Sequence, residues 1–297
     1  MTLQRFENLK KEDLNPKFKG IIKNEKKALK QKCKELSLSA YEKANKNDFM
    51  PEIFNDNFQN FKRYNLPKAQ ILIADIPYNI GINAYASNPQ WYKKGNRSEG
   101  ESKYAKARFF QGDGEFNLNE FLHFATKILK KEPKQTNQAP VMLIFCAFNQ
   151  QFHIIEKAKQ YGFKKYINLV FVKNYSPSVL KSNQRLCGNL EYGLLLFRDK
   201  LPKFNNDGKM IFSSFEYPRN LGMPRIHPTQ KPLSLLERLI SIFSDKGEII
   251  IDCCAGSGSS LIAAANIGRK AYGFEIKKEF CEKIKNIAFK EIERSLF

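Results

Sequence analysis

The sequence predicts an α/β fold with a doubly wound, mostly parallel β-sheet. Two short apolar runs, QILIADI at 70–76 and VMLIFCAF at 141–148, have the length of strands that are buried on both faces. Amphipathic helical patterns separate the predicted strands, which is typical of βαβ units. A segment of small residues, DCCAGSGSS at 252–260, joins a further strand to a helix.

The other predicted elements follow in alternation. NEFLHFATKILKK and QFHIIEKAKQY are predicted helices, the second ended by Gly162. INLVFVK and YGLLLFR are predicted strands, and PLSLLERLISIFSDKG is a predicted helix with Pro232 at its start. EIIIDC and KAYGFEI complete the strands, and a closing helix follows them. Residues 1–50 are predicted to be a basic, helical N-terminal extension of a domain at 51–297.

The charge of the chain favours a polyanionic partner. Lys and Arg total 50, Asp and Glu total 30, and the formal net charge is +20. Basic side chains release counterions from phosphates, so nucleic acid is the expected partner. The alternative is a lysine-rich surface that is only solvated.

Several classes of protein are not expected. The six cysteines form no CxxC pair and have no nearby His spacing, so no metal site is predicted, and a disulfide framework is not expected in a chain of this length. The N-terminus is too charged for a signal peptide, and no apolar run approaches the ~20 residues of a membrane helix. We therefore expect a cytoplasmic protein with no membrane partner.

The glycine loop predicts a nucleoside-binding site. IIIDCCAGSGSS reads as strand, acid, Gly-x-Gly and helix, and backbone N–H groups at such a helix start stabilise anions. No Lys follows the second glycine, which excludes a Walker loop, and Leu261 stands where a dinucleotide site needs a third glycine. Glu275 ends the next strand, 19 residues after Gly256, where an acid can accept ribose hydroxyls. The pattern suits an adenosine cofactor without a diphosphate; the alternative is a flexible Gly-Ser turn.

The stretch ILIADIPYN at 71–79 leaves two interpretations open. A buried strand ends at Asp75, and Pro77 and Tyr78 follow at once. This is either a plain strand-to-turn junction or a pocket for a flat group with a hydrogen-bonding edge.

Three motifs together resemble a known family. DIPYN at 75–79, HPTQKP at 227–232 and DCCAGSGSS at 252–260 resemble the signatures of amino-group DNA methyltransferases that use S-adenosylmethionine. Those signatures are Asp-Pro-Pro-Tyr, His-Pro-Thr-x-Lys-Pro and Asp-Pro-Phe-x-Gly-x-Gly. The catalytic motif precedes the cofactor loop, which resembles the permuted β class. The resemblance implies a Rossmann-like class I methyltransferase fold over 51–297, with DNA-recognition segments expected at 80–115, 174–188 and 199–226, the last of them irregular.

The resemblance also implies roles for individual residues. Asp75 and the Ile76 carbonyl would accept hydrogen bonds from the target amino group, Pro77 would stiffen the turn, and Tyr78 would stack on the base. The implied cofactor-binding residues are Asp56, His227, Thr229, Lys231, Asp252, Cys254, Gly256, Ser257, Gly258 and Glu275. Thr229 and Lys231 would face the cofactor's methionine end, and His227 is either a ligand or a structural turn residue.

The permuted order predicts one strand pairing. Only 22 residues follow Glu275, so the next cofactor strand must come from elsewhere, and PEIFNDN before the catalytic strand is the candidate. Asp56 at its end would accept a hydrogen bond from the cofactor adenine; the alternative is a turn aspartate.

Two positions depart from the family pattern. Ile76 replaces the first proline, which leaves the backbone carbonyl in place, and Cys254 replaces a phenylalanine that packs against the cofactor.

The resemblance implies methylation of the adenine N6 atom in double-stranded DNA by a restriction–modification, orphan or phage-borne enzyme. The leading Asp75 favours adenine, since cytosine N4 enzymes more often carry serine there. Cytosine N4, RNA and a non-catalytic DNA-binding paralogue are the alternatives. A homodimer and a cognate restriction endonuclease are implied by analogy only.

Overall fold

Eight strands form one sheet in the computed structural model, which describes residues 49–78, 116–175, 188–218 and 230–290. The strands are β1 (Glu52–Phe54), β2 (Ile71–Asp75), β3 (Val141–Cys146), β4 (Lys165–Lys173), β5 (Leu190–Phe197), β6 (Ser214–Tyr217), β7 (Ile249–Asp252) and β8 (Lys270–Phe274). Their order is β1-β8-β7-β2-β3-β5-β4-β6. Five neighbouring pairs are parallel, and the two that involve β5 are antiparallel. The predicted mostly parallel sheet is confirmed.

Helices cover both faces of this sheet. They are α1 (Leu118–Ile128), α2 (Gln150–Gln160), α3 (Leu233–Phe243), α4 (Ser259–Asn266) and α5 (Lys278–Lys283), with a 3-10 helix at Phe58–Arg63. Side chains of α3, α4 and α5 share one apolar cluster with Ile71 and Ile73 of β2. Those of α1 and α2 share the other cluster with Leu72 and Ala74. The alternation along β2 is that of a strand buried on both faces, as predicted.

Strand β2 lies near the middle of the sheet. It pairs with β3 on one side and β7 on the other, and its first four residues are at most 2% exposed. Burying each Ile or Leu side chain contributes roughly 1.5–3 kcal/mol. This burial fixes the position of Asp75, the residue that ends the strand.

The predicted pairing of the permuted strand is confirmed. β1 runs parallel to β8, with Phe54 opposite Phe274. The rings of these two residues lie 5.4 Å apart, and the Tyr64 ring packs 4.3 Å from Phe54 and 5.5 Å from Phe274. The aromatic contacts anchor the short strand β1 and place Asp56 at the same edge of the sheet as Glu275.

The carboxyl ends of β2 and β7 meet at one edge. Ile73 pairs with Asp252, so the catalytic motif after β2 and the glycine loop after β7 are neighbours. Doubly wound sheets bind ligands in the crevice outside the carboxyl ends of their strands. The permuted sequence therefore brings two motifs that are about 180 residues apart to one crevice.

The structure corrects the interpretation of 199–226. Ser214–Tyr217 forms the edge strand β6, parallel to β4, so the segment is not irregular throughout. Pro202 bridges to Ala139 just before β3, and Lys203 pairs with Glu248 just before β7. These two contacts place the first part of the segment at the amino-terminal edge of the sheet, opposite the crevice. Glu248 neutralises the buried Lys203 there. Strand β6 ends at the carboxyl-terminal edge, and residues 219–226 lie outside the described residues.

The closing helix also differs from the prediction. α5 ends at Lys283 and continues as a π-helix at Ile284–Phe289. Ile284 of this π-helix is buried and packs against the glycine loop. Single π turns are frequent near functional sites.

Some predictions lie outside the described residues. These are the extension before residue 49, the 80–115 segment, most of 174–188, His227 and Thr229. Residues Phe49–Phe297 make up one compact unit, and the division of the chain at 50/51 stays a prediction. No described helix is long and apolar enough to cross a membrane.

Candidate active site

The catalytic motif projects from the end of β2 into the crevice. The Asp75 side chain is 29% exposed, and its Oδ2 atom lies 2.7 Å from the Lys231 Nζ atom. The Tyr78 hydroxyl lies 3.4 Å from the same ammonium group, and the Tyr78 ring centroid is 5.5 Å from it. The carboxylate and the aromatic ring thus lie against the same ammonium group.

Ile76 faces the core rather than the crevice. Its side chain is 5% exposed and shares an apolar cluster with Leu72, Ala74 and Cys253. Its N–H donates to the Phe145 carbonyl at 3.2 Å. The isoleucine in place of proline is therefore accommodated by packing, and only its backbone is at the site.

Gln150 contacts the catalytic motif, although no sequence motif includes it. Its Nε2 group donates to the Pro77 carbonyl at 2.8 Å, and its Oε1 atom accepts from the Ala147 N–H at 2.9 Å. The side chain thereby ties the turn after β3 to the catalytic motif after β2. A glutamine in the first turn of a helix gives no signal of such a contact in the sequence.

Asp75 is the first of four charged groups that form a chain. Lys231 contacts Asp75 and lies 3.5 Å from the Glu191 Oε2 atom, while the Glu191 Oε1 atom pairs with Lys173. Burial by itself would lower the pKa of Lys231, but Asp75, Tyr78 and Glu191 raise it well above its usual value. Burial by itself would raise the pKa of Glu191, but the two ammonium groups lower it. Lys231 and Glu191 are therefore both charged.

The structure places Lys231 beside the catalytic motif. Its predicted contact with the cofactor's methionine end stays a prediction, and its contact with Asp75 is new information. Burial raises the pKa of the Asp75 carboxyl, and the ammonium of Lys231 acts in the opposite direction. The sequence did not point to Glu191 and Lys173, because the apolar residues of their strands predict only the strands and not a contact between these two side chains.

The glycine loop is held by two buried acids. The Asp252 Oδ1 atom accepts from the Cys254 N–H at 2.9 Å, and its Oδ2 atom accepts from the Ser260 hydroxyl. The Glu275 Oε2 atom accepts from the Gly256 N–H at 2.9 Å. Both acids, predicted to bind the cofactor, thus also shape the loop.

Backbone conformation explains the two glycines. Gly256 has a φ of 52° and Gly258 a φ of 73°, in the left-handed region that disfavours side chains. Among the described residues, a Cβ atom at Gly256 would meet only the Cys254 carbonyl oxygen, at 3.8 Å. The open space over Gly256 lets a ligand approach the backbone, as the predicted nucleoside site requires. Ser257, the residue between the glycines, is buried, and its hydroxyl lies 2.8 Å from that of Ser259.

The two cysteines of the loop differ in exposure, and the buried one, Cys253, is not suited to nucleophilic attack. Cys253 is buried, and burial raises its pKa well above the usual value. Cys254 is half-buried, with its Sγ atom 3.8 Å from that of Cys253. Cys254 therefore presents a small thiol where the family places an aromatic ring.

Asp56 has several local partners. Its Oδ1 atom accepts from the Asn57 N–H at 2.7 Å and the Asn60 side chain at 2.6 Å, and its Oδ2 atom accepts from the Tyr64 hydroxyl at 2.9 Å. These contacts fit the alternative of a turn aspartate, and the predicted bond to the cofactor adenine stays a prediction.

A family model described as DNA methylase matches residues 69–286 of the chain. The chain belongs to this family. The match spans β2 with its catalytic motif and β7 with its glycine loop. Family membership confirms the predicted methyltransferase activity and the S-adenosylmethionine cofactor.

Two relatives and one solved structure are similar to this chain, the DNA methylase described above, over most of its length. The type II methyltransferase M2.DpnII of Streptococcus pneumoniae is 26% identical over 81% of this chain and 88% of its own. The DNA adenine methyltransferase YhdJ of Escherichia coli (strain K12) is 26% identical over 77% of this chain and 79% of its own. The crystal structure of the M1.HpyAVI–SAM complex has a TM-score of 0.54 and 21% identity, and covers 80% of this chain and 98% of its own. The structural similarity confirms the fold class.

Asp252, the buried acid that ends β7, makes the stability of the methylase depend on pH. Burial raises the pKa of Asp252 to about 7. The same carboxyl in the unfolded chain has a pKa of about 3.9. The unfolded state therefore ionises first, and stability falls as the pH rises from about 4 to about 7, by at most about 1.4 kcal/mol per pH unit.

We expect Asp252→Asn to flatten this dependence. The amide oxygen can still accept from Cys254, and the amide group can still pair with Ser260. The free energy of unfolding in urea, measured at pH 5 and pH 7, should fall by more in the wild type than in the variant. Equal losses would contradict the assignment, and titration of the Asp252 carboxyl carbon by NMR is a direct check.

Proposed function

We propose that this DNA methylase methylates the N6 amino group of adenine in double-stranded DNA. The observation that carries the proposal is the juxtaposition of two motifs at one edge of the sheet. Asp75 and Tyr78 follow β2, and the Gly256–Gly258 loop follows the neighbouring strand β7. A substrate half and a cofactor half of one site are thus side by side.

The residues of the cofactor half fit S-adenosylmethionine. Gly256 leaves the loop backbone open to a ligand. Each oxygen of Glu275 accepts one backbone N–H, from Gly256 and Lys277, and so retains a lone pair for a ribose hydroxyl. When bound, the cofactor supplies the electrophilic methyl group.

The substrate half addresses the weak nucleophilicity of an aromatic amino group. The lone pair of that group is delocalised into the ring. Asp75 and the Ile76 carbonyl would accept its two hydrogens and localise the lone pair on nitrogen. Burial raises the pKa of Asp75, which also suits it to hold the proton that the amino group loses. Much of the rate would come from positioning.

The target base has to leave the duplex to reach Asp75. Flipping costs a few kcal/mol, and stacking on an aromatic side chain contributes about 1–3 kcal/mol per base. Tyr78 would supply that stacking. Gln150 supports the same geometry, since its bond to the Pro77 carbonyl fixes the turn between Asp75 and Tyr78.

Adenine is favoured over cytosine on two grounds. Asp75 heads the catalytic motif, where cytosine enzymes more often carry serine. One relative over most of the chain is named a DNA adenine methyltransferase. Cytosine N4 methylation on the same fold is the second candidate.

The net charge of +20 supports duplex DNA as the substrate. Segments 80–115, 174–188 and the later part of 199–226 are the proposed recognition segments. The similarity to a type II methyltransferase supports a role in restriction–modification, with a cognate endonuclease as partner. A homodimer and a cytoplasmic location complete the proposal.

Two experiments test the proposed reaction. Incubation with tritiated S-adenosylmethionine and DNA, followed by nucleoside analysis, should yield N6-methyladenine. Methylcytosine would select the second candidate, and no product would contradict both. Mapping of modified bases in a methylation-free host that expresses the chain would then give the target sequence.

A further inference from the structure

One carboxylate oxygen behind the site is buried without a hydrogen bond. Among the described residues, the Glu191 Oε2 atom is enclosed and accepts no hydrogen bond, although the Lys231 ammonium lies 3.5 Å away. The other oxygen of Glu191 pairs with Lys173, whose ammonium also lies 4.7 Å from the Tyr217 ring centroid. Glu191 is therefore held in place through its Oε1 atom, and its Oε2 atom can still accept a hydrogen bond.

Lys231 occupies one oxygen of the Asp75 carboxylate, the group that the target base needs as an acceptor. Its Nζ atom lies 2.7 Å from Asp75 Oδ2, the distance of a full charge-assisted hydrogen bond. A carboxylate neutralised in this way is a weaker acceptor for an arriving amino group. Moving the ammonium by about 0.7 Å toward Glu191 would exchange one such bond for another of the usual ~2.8 Å length.

We propose that Lys231 has two positions and that Glu191 is a positioning residue for methyl transfer. Lys231 holds Asp75 while the site has no base, and moves onto Glu191 when the target amino group reaches Asp75. The inference rests on the proposed function, because it requires an amino group as the target. It assigns Glu191 a role that acts through Lys231.

Charge balance makes the exchange inexpensive. Lys173, Lys231, Asp75 and Glu191 carry two positive and two negative charges, so the cluster is neutral in both positions. Lys231 is 6% exposed and stays buried throughout. The ammonium exchanges one carboxylate for another and needs neither a proton transfer nor new hydration, the two steps that are costly for a buried charge.

Glu191→Gln tests the inference with little change of shape. The amide offers Lys231 no charge, so Lys231 remains on Asp75. We expect kcat to fall about 10- to 100-fold, the value of a hydrogen bond to a charged group, with the dissociation constant for S-adenosylmethionine unchanged. Glu248→Gln is the matched control, because Glu248 also pairs with two lysines, Lys130 and Lys203, but at the opposite edge of the sheet. That variant should keep kcat.

A double-mutant cycle separates positioning from general support of the fold. In a Lys231→Met background, Glu191→Gln should cost no further kcat, since the residue it acts through is gone. Additive losses would overturn the proposal, as would an unchanged kcat in Glu191→Gln alone.

A second readout does not depend on the folding of the Lys231 variant. It is the structure of the wild-type protein with S-adenosylhomocysteine and with duplex DNA that contains the mapped target site. Lys231 Nζ should lie within hydrogen-bond distance of Glu191 Oε2, and its persistence on Asp75 would overturn the inference. Product analysis of the wild type keeps the two questions apart. A wild type that makes no methylated base contradicts the proposed function, whereas one that methylates without this coupling contradicts only the role of Glu191.

Discussion

Asp75→Ala is expected to reduce methyl transfer by about 10³-fold or more while leaving DNA binding largely intact. Loss of one preorganised hydrogen-bonding group in an active site costs about 10²–10³ in kcat. Asp75 would also hold the proton released by the amino group, so its removal affects two functions. Single-turnover rates with saturating cofactor and DNA would measure the chemical step, and a gel-shift titration would measure DNA affinity.

The fold should survive this substitution. Lys231 loses one partner but keeps Glu191 at 3.5 Å, so its charge does not become isolated. Asp245→Ala is a matched control, because Asp245 also pairs with a buried lysine, Lys203, at the opposite edge of the sheet. Its methylation rate should equal that of the wild type. If Asp75→Ala still methylated DNA at the wild-type rate, the catalytic assignment would be wrong.

The site could be predicted where chemistry and strand pattern coincide in the sequence. A buried strand that ends in an acid is visible as an apolar run followed by Asp75, and the glycine loop is visible in the same way. The β1–β8 pairing was predicted from the permuted motif order of the family that the sequence resembles, and the structure confirms it. These inferences combined local patterns, the rule that parallel strands end at one edge, and the motif order of the family that the sequence resembles.

The residues behind the site could not be predicted in this way. Glu191 is the second residue of β5 and Lys173 is the last residue of β4, and the antiparallel pairing of these strands brings them together. Such a contact depends on strand register, which apolar runs do not specify. The same limit applies to β6, since a four-residue edge strand, SFEY, is too short to give a reliable alternating pattern.

Ile76 illustrates a different limit. Its identity departs from the family motif, and the sequence alone left the effect open. The structure shows that its side chain packs in the core while its backbone remains at the site. A motif residue can therefore change when its contribution is made by the backbone and its side chain finds apolar neighbours.

Alanine substitutions of three glycines should separate strain, packing and ligand access. Gly268 has a φ of 75° and open space around it except for the Lys246 side chain at 3.8 Å, so Gly268→Ala measures backbone strain alone. We expect a loss of about 1 kcal/mol in the free energy of unfolding and an unchanged affinity for S-adenosylmethionine. This variant is the control for the two glycines of the loop.

Gly258→Ala should have the largest effect on stability. Its Cβ atom would meet the Ile284 Cγ2 atom at 2.9 Å, so the π-helix would have to shift. Overpacking costs typically 1–3 kcal/mol, which adds to the strain for a total of about 2–4 kcal/mol. Urea unfolding of Gly258→Ala and Gly268→Ala measures the difference between their free energies of unfolding. Equal losses would show that Ile284 moves aside without a cost in stability.

Gly256→Ala should instead affect the cofactor. The strain resembles that of Gly268→Ala, and no side chain in the part of the chain that the structure describes lies within 4 Å of the added methyl group. Its effect on stability should therefore match the control at about 1 kcal/mol. If the cofactor approaches the loop over Gly256, the methyl group enters that space, and we expect at least a 10-fold loss of S-adenosylmethionine affinity by calorimetry, about 1.4 kcal/mol. If Gly256→Ala bound S-adenosylmethionine with the affinity of the wild type, the cofactor would not approach the backbone at Gly256. The fold class and the two motifs would stand unchanged by that result.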